Sequence, residues 1–279
     1  MAAPETLQRG TSATVIARHL RSEIEAGRYR HEEQLPSTRA LAEEWNTSVA
    51  TIARAMQQLG EQGLVVTRDR SSRLVNYPDQ HRRDHGAPTV LVVGGYAGSG
   101  KTEFGRILAR ATGWPMLDKD STTRPVVEAA LAKLGESPND REGEVYLNVV
   151  RPAEYEALRE TMIENVQCGN SVIMTAPFIR ELGDAAWCQR LTAELDALGA
   201  VAHAVWVRCD IESMRTYLTR RGAARDASKL ANWADYVSKL ELGYKPEMPH
   251  TIVQNSLSSA PLTAQAQQLL GSLGVEARR

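Results

Sequence analysis

Gly95-Tyr96-Ala97-Gly98-Ser99-Gly100-Lys101-Thr102 reads G-x-x-x-x-G-K-T, the spacing of a loop that wraps around phosphate groups. Its glycines let successive backbone N–H groups turn into one concavity, and a helix starting at the end of the loop adds positive potential there. Lys101 is expected to reach the β- and γ-phosphates, and the Thr102 hydroxyl to ligate Mg²⁺. The chemistry needs a strand before the loop and a helix after it. The apolar run Thr89–Val93 and the stretch Glu103–Ala111 supply them. The expected nucleotide contacts are Gly95, Ala97, Gly98, Ser99, Gly100, Lys101, Thr102 and Glu103. The cofactors implied are ATP, or a related nucleotide, and Mg²⁺.

Other residues extend this chemistry. Leu117-Asp118-Lys119-Asp120 puts two carboxylates at the C-terminal end of a second strand, facing a ligand crevice. Asp118 is assigned to the metal shell and Asp120 to accepting a proton from a substrate hydroxyl. Arg124, one helical turn on, is expected to hold a phosphate or an anionic substrate. The third strand, Ser171–Met174, runs into Thr175, where an acidic metal ligand is common, so that shell is expected to be incomplete. Arg221 and Arg225, in the basic stretch 220–229 around Gly222, are expected to close on the polyphosphate and neutralise developing charge. Asn255 is expected near the nucleotide base.

These residues need a scaffold. From Thr89 onward, apolar β-branched runs at Thr89–Val93, Pro115–Leu117, Ser171–Met174, Ala202–Val207 and Thr251–Val253 alternate with amphipathic stretches. That pattern gives an α/β fold with a five-stranded parallel sheet covered on both faces. The first 75 residues read differently. Helical periodicity over 11–26 stops at Gly27. Ser37 caps a second helix, and Ser48 caps a third with the stripe Ile52, Ala55, Met56 and Leu59. Two short strands follow, Leu64–Val66 and Leu74–Val75, joined by an arginine-rich tip containing Arg68, Arg70 and Arg73. Residues 76–88 are polar and aperiodic, with Pro78 and Pro88 near their ends. The divisions drawn are 1–78, a linker at 79–87, and 88–279.

Composition narrows the function class. A net charge of −1 excludes bulk electrostatic attachment to nucleic acid, though not a local basic face. All six lysines lie at or after Lys101, and the chain before it uses only arginine. Three cysteines, Cys168, Cys188 and Cys209, have neither disulfide-framework nor zinc spacing, which fits a reducing cytoplasm. No apolar run is long enough for a membrane span.

Two resemblances follow. GYAGSGKT at 95–102, LDKD at 117–120 with Arg124, and RRGAARD at 220–226 resemble the small P-loop kinases with an arginine lid: gluconate kinase, shikimate kinase, chloramphenicol phosphotransferase and zeta-toxin-like proteins. That resemblance implies a nucleoside triphosphate, Mg²⁺ and transfer to a small-molecule phosphate acceptor. The stretch EQLPSTRALAEEWNTSVATIARAMQQLGEQGLV at 33–65 resembles the winged helix-turn-helix of the GntR family of bacterial regulators. It implies that Arg39 opens the second helix against DNA and that Ser48, Thr51 and Arg54 lie on a recognition helix in the major groove. Val49 and Ala53 stand where that family often has arginine, and the wing tip lacks its usual glycines. Fewer contacts, and weaker or altered DNA binding, are expected from these departures. Together the features lead to a homodimeric regulator that binds a double-stranded DNA operator and senses a nucleotide. The alternative is a small-molecule kinase with an auxiliary DNA-binding domain.

Overall fold

The structure, a computed structural model, describes residues 11–68, 72–77 and 87–275, except for the side chain of Arg225. Arg70 and linker residues 79–86 lie outside the described residues. The chain divides into two compact units, Met1–Gly86 and Ala87–Arg279.

The first unit is three helices and a hairpin. Helix α1 (Ala13–Glu25) buries Ile16, Leu20 and Ile24, which recur every four residues along one face. Helices α2 (Thr38–Glu44) and α3 (Val49–Glu61) begin at Ser37 and Ser48, whose hydroxyls accept the backbone N–H groups of Ala40 and Thr51. Strands β1 (Val65–Arg68) and β2 (Ser72–Val75) pair antiparallel, Val65 opposite Val75 and Arg68 opposite Ser72. A bridge from Gln34 to Leu74 adds a third partner to the hairpin. Ile52, Leu59, Leu41 and Val75 close one core.

The second unit is a five-stranded parallel sheet. Its strands are β3 (Thr89–Gly94), β4 (Met116–Asp118), β5 (Val172–Thr175), β6 (Val201–Arg208) and β7 (His250–Gln254), in the spatial order β4-β5-β3-β6-β7. Both faces are covered. Val90 and Val92 of β3 pack into one apolar core and Leu91 and Val93 into the other, so the strand is apolar at successive positions from Val90 to Val93. Helices α4 (Lys101–Thr112), α5 (Lys119–Lys133), α6 (Arg151–Gln167), α7 (Ile179–Leu182) and α8 (Ala185–Ala197) connect these strands as far as β6. A π-helical turn, Tyr146–Val150, leads into α6. After β6 come α9 (Ile211–Arg221), a 3-10 turn (Ala224–Asp226), α10 (Ala227–Ala231) and α11 (Trp233–Ser238). Helix α12 (Leu262–Ser272) ends the unit. The chain runs from β3 to one side of the sheet and from β5 crosses to the other. This makes the C-terminal end of β3 a topological switch point, where open α/β sheets bind ligands. Asp118 and Thr175 are the last residues of β4 and β5, one position later than the strands read from the sequence.

Candidate functional site

In the first unit the hydroxyls expected to meet DNA have local duties. Ser48 Oγ accepts from the Thr51 N–H at 3.1 Å and shares a 2.8 Å hydrogen bond with Thr51 Oγ1. Arg54, a turn further along α3, is exposed. Arg39 is also exposed and lies 3.5 Å from Glu43. Arg68 ends β1 exposed, and its carbonyl accepts from Ser72 Oγ at 2.6 Å. Arg73 turns back toward the protein, donating to Thr38 Oγ1 at 3.0 Å.

In the second unit residues 95–100 leave β3 and turn directly into α4. Gly100 caps that helix with φ +90°, and a Cβ on it would come within 2.1 Å of Asn255 Nδ2. Gly98 has φ +83° and sits against Leu218 and Met214. Glycine is required at both positions by conformation and by space. Asn255, expected near the base, donates from Nδ2 to the Ser99 carbonyl at 2.9 Å and so braces the loop backbone. Glu103 is exposed in the first turn of α4.

Thr102 and Asp118, the residues expected around the metal, are brought together. Parallel pairing sets Asp118 opposite Thr175. Asp118 Oδ2 accepts from Thr175 Oγ1 at 2.6 Å and from Thr102 Oγ1 at 3.2 Å, and Oδ1 accepts from the Ser121 N–H at 2.9 Å. A carboxylate thus lies level with position 175, on the neighbouring strand. One hydroxyl and one carboxylate at the mouth of a phosphate loop suit Mg²⁺, which keeps several waters and takes its remaining ligands from phosphates. Ser99 Oγ, buried behind the loop, has no hydrogen-bond partner among the described residues. These residues fit Mg²⁺ with a nucleotide.

A cavity of about 640 Å³ opens beside the loop, lined by Ala97, Lys101, Asp120, Arg221 and residues of α6 and of the segment after α9. Asp120 is partly exposed and lies 3.3 Å from Lys119 Nζ. Arg221 holds the buried Asp226 through Nε at 2.8 Å and Nη2 at 2.5 Å, so the arginine segment is tied to itself. Tyr236 donates to the Ala97 carbonyl at 3.4 Å, and Tyr96 Oη accepts from the Glu241 N–H at 3.0 Å, joining this segment to the loop. Arg124 is exposed on α5 and is not among the cavity-lining residues.

Sequence reasoning missed the far wall. Lys119, only 4% exposed, donates to Glu154 Oε1 at 2.7 Å. Thr123 donates to the same oxygen at 2.7 Å and Tyr146 to Oε2 at 2.8 Å. Burial, and then the Glu154 carboxylate, push the Tyr146 phenol well above its ordinary pKa. Burial, and then Glu181, do the same for Tyr155. Arg151 pairs with Glu181 at 2.7 Å and stacks 4.2 Å over the Tyr155 ring. The available signal was Lys119 lying between the two aspartates of LDKD, a cation with no evident surface role.

Known proteins match both units. The family model described as bacterial regulatory proteins, gntR family, matches residues 12–75, and the model described as an AAA domain matches residues 90–242, more than half of the chain. No curated protein matches closely enough to count as a relative. Among solved structures, a sugar kinase from Janibacter sp. HTCC2649 is 19% identical with a TM-score of 0.45, over 68% of this chain and 95% of that one. A gluconokinase from Sinorhizobium meliloti 1021 is 17% identical with a TM-score of 0.42, over 68% and 94%. YtrA from Sulfolobus acidocaldarius, a GntR-family transcription factor, is 23% identical with a TM-score of 0.25, over 29% and 88%. By the longer of the two family matches the chain belongs to the AAA-domain family, and it carries a domain of the gntR family of bacterial regulatory proteins at its N-terminal end.

Proposed function

We propose that this chain is a cytoplasmic, homodimeric transcriptional regulator that binds operator DNA through its first unit and ATP, with Mg²⁺, through its second. The observation that carries the nucleotide half is the Thr102–Asp118 hydrogen bond of 3.2 Å at the mouth of the phosphate loop. It brings together the hydroxyl and carboxylate that Mg²⁺ and its waters need. The gntR-family match over 12–75 supports the DNA half. Lys101 and the loop N–H groups hold the phosphates; bound Mg²⁺ would offset their charge. ATP alters operator affinity only if the DNA-bound and free states hold it with different strength.

A second reading, an ATP-dependent phosphotransferase, is favoured by one observation: Asp120 and Lys101 line the same cavity. Asp120 is then the acceptor of the hydroxyl proton, and Arg221 stabilises the transferred group. One substitution separates the two. As a sensor, the protein turns over ATP slowly or not at all without an acceptor, and Asp120→Asn leaves any ATP effect on operator affinity in place. Rapid phosphorylation of a small molecule, lost in Asp120→Asn and accompanied by DNA binding indifferent to ATP, would reverse the order.

A further inference from the structure

We infer that Val49 selects a thymine in the operator, through the C5-methyl group that this base presents in the major groove. The inference rests on the first unit binding DNA through α3 and adds a base that it reads.

Val49 is the first residue of α3 and is 53% exposed. Ala50 is exposed beside it, and Ala53 is half-buried one turn on. Helical spacing puts Val49 and Ala53 one above the other with Ala50 at their side, so the three make one apolar surface. That surface lies outside the buried stripe of Ile52, Ala55, Met56 and Leu59, and the core of the first unit does not use it. An open β-branched side chain adds nothing to helix propensity either. The polar groups of the same turn are engaged locally. Ser48 Oγ caps the Thr51 N–H at 3.1 Å and shares a 2.8 Å hydrogen bond with Thr51 Oγ1. Residues 48–53 carry no charge, and Arg54 is the first charged side chain of the helix.

The gntR-family match over 12–75 is what brings DNA to this surface. In a helix-turn-helix the N-terminal residues of the recognition helix meet base edges. Every base pair offers hydrogen-bonding atoms in the major groove, but only thymine adds a methyl group. A valine cannot hydrogen-bond. Set over guanine, adenine or cytosine, it takes water from N7, O6 or an amino group and returns no partner, which is unfavourable. Set over thymine, it buries a methyl group against its own, and Ala53 extends the contact. Selection therefore comes from apolar burial at the right base and from unpaired polar atoms at the wrong ones. Arg54, further along the exposed face, is left for guanine or for phosphate.

The test begins by recovering duplexes that bind the full chain from a random-sequence pool at fixed low salt. Each thymine of the tightest duplex is then replaced singly by deoxyuridine, which removes the methyl group and keeps every hydrogen-bonding atom. Affinity is followed by fluorescence anisotropy. A thymine found at the same place in all recovered sequences is expected to lose about fourfold in affinity on replacement, the value of burying one methyl-sized group. In Val49→Ala that loss is expected to disappear, while the melting temperature of the protein stays where it was. Tight binding that no deoxyuridine replacement weakens overturns the inference, and so does an undiminished loss in Val49→Ala. A pool bound without sequence preference overturns it too and leaves the DNA reading standing. Absence of binding to any duplex at low salt would overturn the DNA reading and this inference with it.

Discussion

The Asp118 carboxylate accepts two threonine hydroxyls and a backbone N–H, and each donor comes from a different part of the chain. Thr102 follows the phosphate loop, Thr175 ends β5, and Ser121 belongs to the helix that Asp118 itself caps. A buried cluster lies one residue further on. Lys119 and Glu154, 4% and 3% exposed, neutralise each other inside the protein. Removing one partner strands the other, and breaking such a pair costs about 3–5 kcal/mol. Glu154→Ala is therefore expected to lower unfolding free energy by about that much in a denaturant titration. Glu154→Gln, which keeps an oxygen for Lys119 or Thr123, should cost less. A loss from Glu154→Ala no larger than that of an ordinary surface substitution, about 0.5 kcal/mol, would contradict the pairing. Asp118, Asp120 and Lys101 are singled out by spacing alone, because their motifs lie within 26 consecutive residues. The pairing of Asp118 with Thr175 and of Lys119 with Glu154 is not, because strand register and helix packing set them across long loops.

Elements whose burial pattern is uniform were the most legible. β3 is apolar at successive positions because helices cover both its faces, and its bounds agree with the sequence to one residue. The caps at Ser37 and Ser48 read equally well, since a hydroxyl before an apolar stripe has a local cause. α6 did not read. Its buried face runs Glu154, Leu158, Met162, Val166, so a carboxylate interrupts the stripe and hides the cavity wall. The Asn255–Ser99 hydrogen bond did not read either, because a strand end gives position and not hydrogen bonding. In α3 the same reasoning separates folding from binding. Ser48→Ala removes the cap and should cost about 1 kcal/mol in stability. Arg54→Ala should change stability by no more than about 0.5 kcal/mol. It should still weaken operator binding, by about 1–3 kcal/mol at a base contact or uniformly with a shallower salt slope at a phosphate. Thermal melts and fluorescence anisotropy across salt concentrations would separate these effects. Unaltered DNA affinity in Arg54→Ala would remove it from the interface.

At the scale of the whole molecule the chain is two compact units, each matched by its own family model. The lysine-free stretch before Lys101 spans the first unit, where arginine is the only basic residue besides histidine, and runs on to the phosphate loop of the second. No helix among the described residues is long and apolar enough to cross a membrane. Under the proposed function the two units are linked: a nucleotide that distinguishes the DNA-bound from the free state would shift operator affinity, and DNA would shift nucleotide affinity by the same factor. Typical couplings are 1–3 kcal/mol, or about 5- to 150-fold. The most direct measurement is the operator affinity of the full chain, at fixed salt and Mg²⁺, with and without saturating ATP, for wild type and Lys101→Ala. The account predicts a shift of at least about fivefold in wild type, absent in Lys101→Ala, whose DNA affinity should match that of ATP-free wild type. ATP that binds tightly to wild type yet leaves its operator affinity unchanged would contradict it.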